Sequence, residues 1–207
     1  MESVRHLGTA MLDYLAMRPQ AEKFLAPLRE TFLMGTPKAV PHDDQATRIA
    51  CQYTMGAGSV RSDPLVRMVQ AALPDLSWGT AYDGDPAAGD GFAERAAATF
   101  VFGGKGPFGA RDVMAGIFVV GPRVRYFDHA HGPEELYLPI AGRARYWSAS
   151  KGWRMAGPDD VIVHEPWEWH AMETQDEPVL ILWSWLGANT IDVWPDLRPS
   201  FGDQPLH

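Results

Sequence analysis

The chain has 207 residues, a formal net charge of −8, 46% hydrophobic and 21% charged residues. Such a length suits one domain, or one with an extension, and is enough to bury a substantial core. The acidic balance argues against a nucleic-acid surface, which needs clustered Lys and Arg to neutralise phosphates, and it fits a small cationic ligand. The single cysteine, Cys51, excludes an intrachain disulfide and a cysteine-based zinc site. No apolar run approaches the ~18 residues of a membrane span. The N-terminal stretch is too polar for a secretory apolar region, so a cytoplasmic protein is expected, without a membrane or nucleic-acid partner.

In chain order, the first part reads as helices. Val4, Leu7, Met11, Tyr14 and Leu15 recur at helical spacing, and Pro19 stops the run. Phe24, Leu25, Leu28 and Phe32 repeat the pattern around Pro27, until Gly35 and Pro37 end it. A further helix fits Gln45 to Tyr53. Asp63-Pro64 reads as an N-cap followed by proline at the first helical position, with Leu65, Met68, Val69 and Ala72 as the apolar face. Residues 83–110 are rich in Gly, Ala and Pro. Their FGGKGPFGA segment lacks the Gly-Lys-Ser/Thr ending of a phosphate loop, so a flexible connection or lid is expected.

From about Ala115 the period changes to two. Short apolar runs alternate with turn signals: AGIFVV, VRYFDHAH, ELYLPI, RARYW, VIVHEP, WHAME and VLILWSWLG. Strands at this spacing make a β-sandwich or barrel. The expected organisation is a helical region over 1–110 packed on a β-barrel over 111–207.

The residues that carry chemistry sit at the centre of this half. Side chains two apart in a strand share a face, so His129 and His131 project together, as do Glu135 and Tyr137. Gly132-Pro133 between them reads as a turn joining adjacent antiparallel strands. Two imidazoles and a carboxylate make a facial metal site with open positions. A fourth ligand should arrive on a later strand, where His170 is preferred and His164 is the alternative. His6, His42 and His207 are expected to be solvated, and Cys51 to be a small buried hydrophobe. Arg143 and Arg145 are expected to pair with acids or touch a carboxylate substrate. Of the eight tryptophans, all but Trp78 lie from Trp147 onward, and Trp183 and Trp185 share one strand face.

His129, His131, Glu135 and Gly142 reproduce the first cupin motif, H-x-H-x3-E-x6-G. Pro166 and His170 retain part of the second, whose inner glycine and asparagine are missing. Among cupins the chain resembles the bacterial dimethylsulfoniopropionate lyases, which share its length, its helical N-terminal region and the pattern Y-x2-H-x-H-x3-E-x-Y, here Tyr126, His129, His131, Glu135 and Tyr137. The resemblance implies a mainly β cupin jelly roll with an N-terminal helical extension. It implies one divalent transition metal ion (Zn, Fe, Mn, Co or Ni) on His129, His131, Glu135 and His170. The implied reaction is β-elimination of a zwitterionic sulfonium substrate to dimethyl sulfide and acrylate. Tyr137 is the first choice of base and Tyr126 the second, because Tyr126 reaches the face of His129 only through a β-bulge. Tyr126, Trp183 and Trp185 are the expected substrate-binding residues, and a homodimer through the barrels is common among cupins. Two other functions use the same motif: an Fe(II) dioxygenase acting on a small carboxylate, and a non-catalytic small-ligand-binding cupin.

Overall fold

A computed structural model of the chain describes residues 1–41, 43–54, 58–80, 91–104 and 106–187. The helical expectations hold for α1 (Glu2–Ala16), α2 (Glu22–Met34), α3 (Asp44–Tyr53) and α4 (Asp63–Ala72). In α1 the periodic residues Val4, Leu7, Met11 and Leu15 are all fully buried. α3 is capped by Asp43, whose side chain accepts from the backbone N–H groups of Gln45 and Ala46 and satisfies two otherwise unpaired donors. α4 begins one residue earlier than the Asp63 cap anticipated: Ser62 is the cap residue and Asp63 is already helical. Cys51 is exposed; it lies on the solvent side of α3, whose buried face is Ala46, Ile49 and Ala50.

Ten strands follow: β1 (Trp78–Gly79), β2 (Ala96–Phe102), β3 (Val113–Val120), β4 (Arg125–His129), β5 (Glu134–Ala141), β6 (Ala144–Ser148), β7 (Gly152–Ala156), β8 (Ile162–His164), β9 (His170–Thr174) and β10 (Val179–Leu186). They form a six-stranded sheet in the order β1-β2-β3-β10-β5-β8 and a four-stranded sheet in the order β4-β9-β6-β7, with antiparallel pairing throughout. The flexible connection expected over 83–110 is therefore in part a strand. β2 runs the length of β3, and glycine is required where they touch, since a Cβ on Gly116 would stand 1.7 Å from the Thr99 carbonyl oxygen. β7 was also hidden in the sequence, because its pattern is half exposed and shows no apolar alternation.

The two faces of the six-stranded sheet are both covered, which is why β3 is buried at every position. On the outer face, Ala115, Ile117, Val119, Leu136, Leu138, Ile140, Leu180 and Leu182 pack with the helices in one apolar cluster. On the inner face, toward the four-stranded sheet, Met114, Phe118, Tyr137, Ile181, Trp183 and Trp185 join Tyr126, Tyr146 and Met172 in a second cluster. Strand parity alone sorts these residues between the two cores. Gly142 makes the tight β5–β6 turn: its φ is +71°, and a Cβ there would lie 2.0 Å from the Pro178 carbonyl oxygen. The motif glycine is thus fixed by backbone geometry.

Candidate metal centre

His129 and Glu135 are close in sequence but belong to different sheets. β4 pairs with β9, whereas β5 pairs with β8 and β10. The segment around Gly132-Pro133 is consequently a corner between sheets, and the adjacent antiparallel pairing expected there is not formed. The corner brings the ligands together from opposite sides of the sandwich. His129 faces His170 across the β4–β9 pair, Glu135 faces Trp185 across β5–β10, and His131 sits in the connecting loop. His129, His131, Glu135 and His170 are all buried, and one ligand atom from each lies within 4.8 Å of every other.

The protonation pattern of the imidazoles fits a metal. Nδ1 of His129 lies 2.8 Å from the Phe127 carbonyl oxygen, Nδ1 of His131 2.9 Å from that of Pro133, and Nδ1 of His170 2.8 Å from that of Glu168. A carbonyl can only accept, so each Nδ1 carries the proton and each Nε2 presents its lone pair. Two of these lone pairs converge on one carboxylate oxygen. Glu135 Oε2 is 3.3 Å from His131 Nε2 and 3.0 Å from His170 Nε2. The other oxygen, Oε1, accepts from Trp185 Nε1 at 2.5 Å. Burial disfavours the Glu135 charge, but His131 and His170 overcome it and hold the carboxyl well below the usual carboxylate range. Burial, with the charge of His170, pushes His129 well down. Burial also opposes protonation of His131, yet the Glu135 charge and hydrogen bond leave it raised. Three neutral imidazoles and a carboxylate are a donor set for a divalent transition metal.

His164 is not part of this cluster. It stacks on His170 with ring centroids 4.1 Å apart, and burial with the neighbouring His170 takes it down to about 3. His170 therefore takes the fourth ligand position, as the sequence preference had it. The turn before His170 is held from both sides: Trp167 N–H donates to the His131 carbonyl, and the Glu168 carboxylate accepts from Ser150.

Both tyrosines reach the interior. Tyr137 is 4% and Tyr126 7% exposed. The bulge that Tyr126 requires is present, since the β4–β9 register shifts between Tyr126 and His129. It turns the Tyr126 ring to 4.3 Å from that of His129. Tyr137 faces Trp183 across β5–β10, with its ring 6.5 Å from His170. Trp183 and Trp185 point inward, 5.3 Å apart. Arg145 pairs with Glu173 and lies over Trp153 outside this cluster. His6 has a 61% exposed side chain; His42 and His207 lie outside the described residues. The sequence gave no sign of the Trp185–Glu135 hydrogen bond or of His164 stacking on a ligand, since both arise from register between strands distant in the chain.

The sandwich and its His-His-Glu-His centre define a cupin. A family model for dimethylsulfoniopropionate lyase matches residues 43–181, and the chain belongs to that family. It is 33% identical over 141 residues to the dimethylsulfoniopropionate lyase DddQ of Ruegeria pomeroyi, an alignment spanning 63% of this chain and 69% of the relative. The crystal structure of DddQ from Ruegeria pomeroyi superimposes with a TM-score of 0.83 at 23% identity, over 96% of each chain. A solved structure described under the DMSP lyases RdDddP and RnDddQII superimposes with a TM-score of 0.78 at 26% identity, over 97% of this chain and 98% of the other. Among the described residues, no helix is long and apolar enough to cross a membrane.

Proposed function

We propose that the protein is a metal-dependent carbon–sulfur lyase that cleaves dimethylsulfoniopropionate to dimethyl sulfide and acrylate. The observation that carries this is the buried three-histidine, one-glutamate cluster with two tyrosines and two tryptophans on its walls, in a chain of this family. His129, His131, Glu135 and His170 would hold the metal, which when bound sets positive charge against the substrate carboxylate and stabilises the negative charge that develops beside it. The ligand types suit Fe, Mn, Zn, Co or Ni.

Tyr137 acts as the general base. It lies two residues from Glu135 on the same strand face, near enough to the cluster for its phenolate to be favoured by the cation. The phenolate oxygen takes the proton from the carbon next to the carboxylate. That C–H electron pair becomes the new C=C bond, the C–S bond breaks with its pair on sulfur, and neutral dimethyl sulfide leaves acrylate behind. Tyr126 is tested beside Tyr137, because the bulge removes the parity objection to it. The faces of Trp183, Trp185 and Tyr126 receive the sulfonium, each cation–π contact contributing ~0.5–2 kcal/mol. The exposed, unpaired Cys51 suits a reducing, cytoplasmic setting.

The test is headspace detection of dimethyl sulfide from purified protein loaded in turn with each of the five metals, with oxygen uptake followed in parallel. Equal amounts of dimethyl sulfide and acrylate without oxygen consumption are expected. No product with any metal overturns the lyase, and oxygen uptake driven by a small carboxylate turns the same ligand set over to a dioxygenase.

A further inference from the structure

Trp183 and Trp185 sit two residues apart on one face of β10, yet their indole N–H groups differ. Trp183 Nε1 is buried and has no hydrogen-bond partner. Trp185 Nε1 donates to Glu135 Oε1 at 2.5 Å, and its ring lies 4.7 Å from that of the ligand His131. The register places Trp185 directly opposite Glu135 and Trp183 opposite Tyr137, so the bond is built into the strand pairing. A carboxylate can bind a metal through one oxygen or two. Here the imidazole nitrogens of His131 and His170 converge on Oε2 alone, while Oε1 is turned to the indole. A charge-assisted hydrogen bond of this length is among the stronger ones a buried carboxylate can accept.

We propose that Trp185 is a positioning residue: its indole N–H pins Oε1, restricts Glu135 to ligation through Oε2, and so keeps a coordination position open for the substrate carboxylate. Granting the lyase reading on which this rests, the two tryptophans divide their tasks. Trp183 offers its face and a free N–H to the ligand cavity, and Trp185 holds the metal ligand. Released from Trp185, Oε1 would swing toward the metal and compete with the substrate carboxylate for the same position.

The test compares Trp185→Phe with Trp183→Phe and the parent protein, each loaded with Co(II) and without substrate. Phenylalanine keeps a ring in place and removes only the N–H and part of the bulk. Trp185→Phe is expected to weaken and shift the visible Co(II) absorption, as a rise in coordination number does, whereas Trp183→Phe leaves that spectrum unchanged. With dimethylsulfoniopropionate, Trp185→Phe is expected to lose about ten- to a hundredfold in kcat/KM, the range found when the outer partner of a metal ligand is removed. Most of that loss should fall in KM. An unchanged Co(II) spectrum with unchanged KM in Trp185→Phe overturns the proposal. Should Trp185→Phe fail to fold, a crystal structure of the metal-loaded parent decides it: ligation by Oε2 alone supports the role, and ligation by both oxygens overturns it. If the parent protein makes no dimethyl sulfide, the lyase reading falls, while the spectra and metal-loaded structure still decide how Glu135 is held.

Discussion

The two faces of the six-stranded sheet were built from the same three central strands and do different work. The outer face, against the helices, is Leu, Ile, Val and Ala with a few aromatics, and it is apolar throughout. The inner face, against the four-stranded sheet, is aromatic and ends in three buried histidines and a buried carboxylate. Neighbouring residues on one strand illustrate the division: Leu136 and Leu138 of β5 enter the outer core, and Glu135 and Tyr137 line the inner one. Stability and chemistry are thereby carried by alternate positions of the same backbone. A substitution on one face can be expected to leave the other largely intact, provided the strand pairing survives.

The sharpest way to break that comparison is on the inner face. His131→Ala should abolish metal binding at micromolar metal and with it all turnover, because it removes one of the four ligands and a neighbour on which the buried Glu135 charge depends. Metal analysis after dialysis, together with headspace assay, checks this; retained stoichiometric metal would show that the centre is elsewhere. Tyr137→Phe should keep the metal but lose roughly 10²–10⁴-fold in kcat, the usual contribution of a positioned proton-transfer group. Near-normal turnover in that variant, with loss in Tyr126→Phe, would move the base to β4.

On the outer face the effect should be one of stability. Leu182 is fully buried among the helices and the sheet, so Leu182→Ala should cost about 2–5 kcal/mol in denaturant unfolding. Per folded, metal-loaded molecule its kcat should stay within a factor of a few of the parent; a large loss would mean the two faces are coupled. The smallest change is expected outside both cores. Leu33 is 81% exposed at the end of α2, and Leu33→Ser should shift stability by less than about 0.5 kcal/mol, so a larger shift would show that α2 is covered in solution.

The sequence was most informative where chemistry and backbone parity coincide. The H-x-H-x3-E-x6-G spacing located three ligands and a turn glycine, and each is where the motif implies. The aromatic pairs on β5 and β10 were also legible, because alternation puts both members of each on one face. Less was legible wherever the pattern was not apolar. β2, with its run of alanines and neighbouring glycines, looked like a connection; β7 is half exposed and gave no signal. The strand partner of the His129 segment was misjudged because Gly132-Pro133 marks a change of direction without saying whether the chain turns back along its neighbour or crosses to the other sheet.

By itself, then, the sequence determined the helical and β halves, the ligand residues and the chemistry they suit, since these follow from side-chain type and from periods of two and 3.6 residues along the backbone. The tertiary structure decided the rest. It placed His170 rather than His164 in the ligand cluster, through the β4–β9 register. It turned Tyr126 inward by a bulge, and it gave Glu135 its indole partner by setting Trp185 opposite it. The physical reason is that these contacts join strands up to fifty residues apart in the chain, and register between such strands is set by packing of the whole sandwich, not by any local preference.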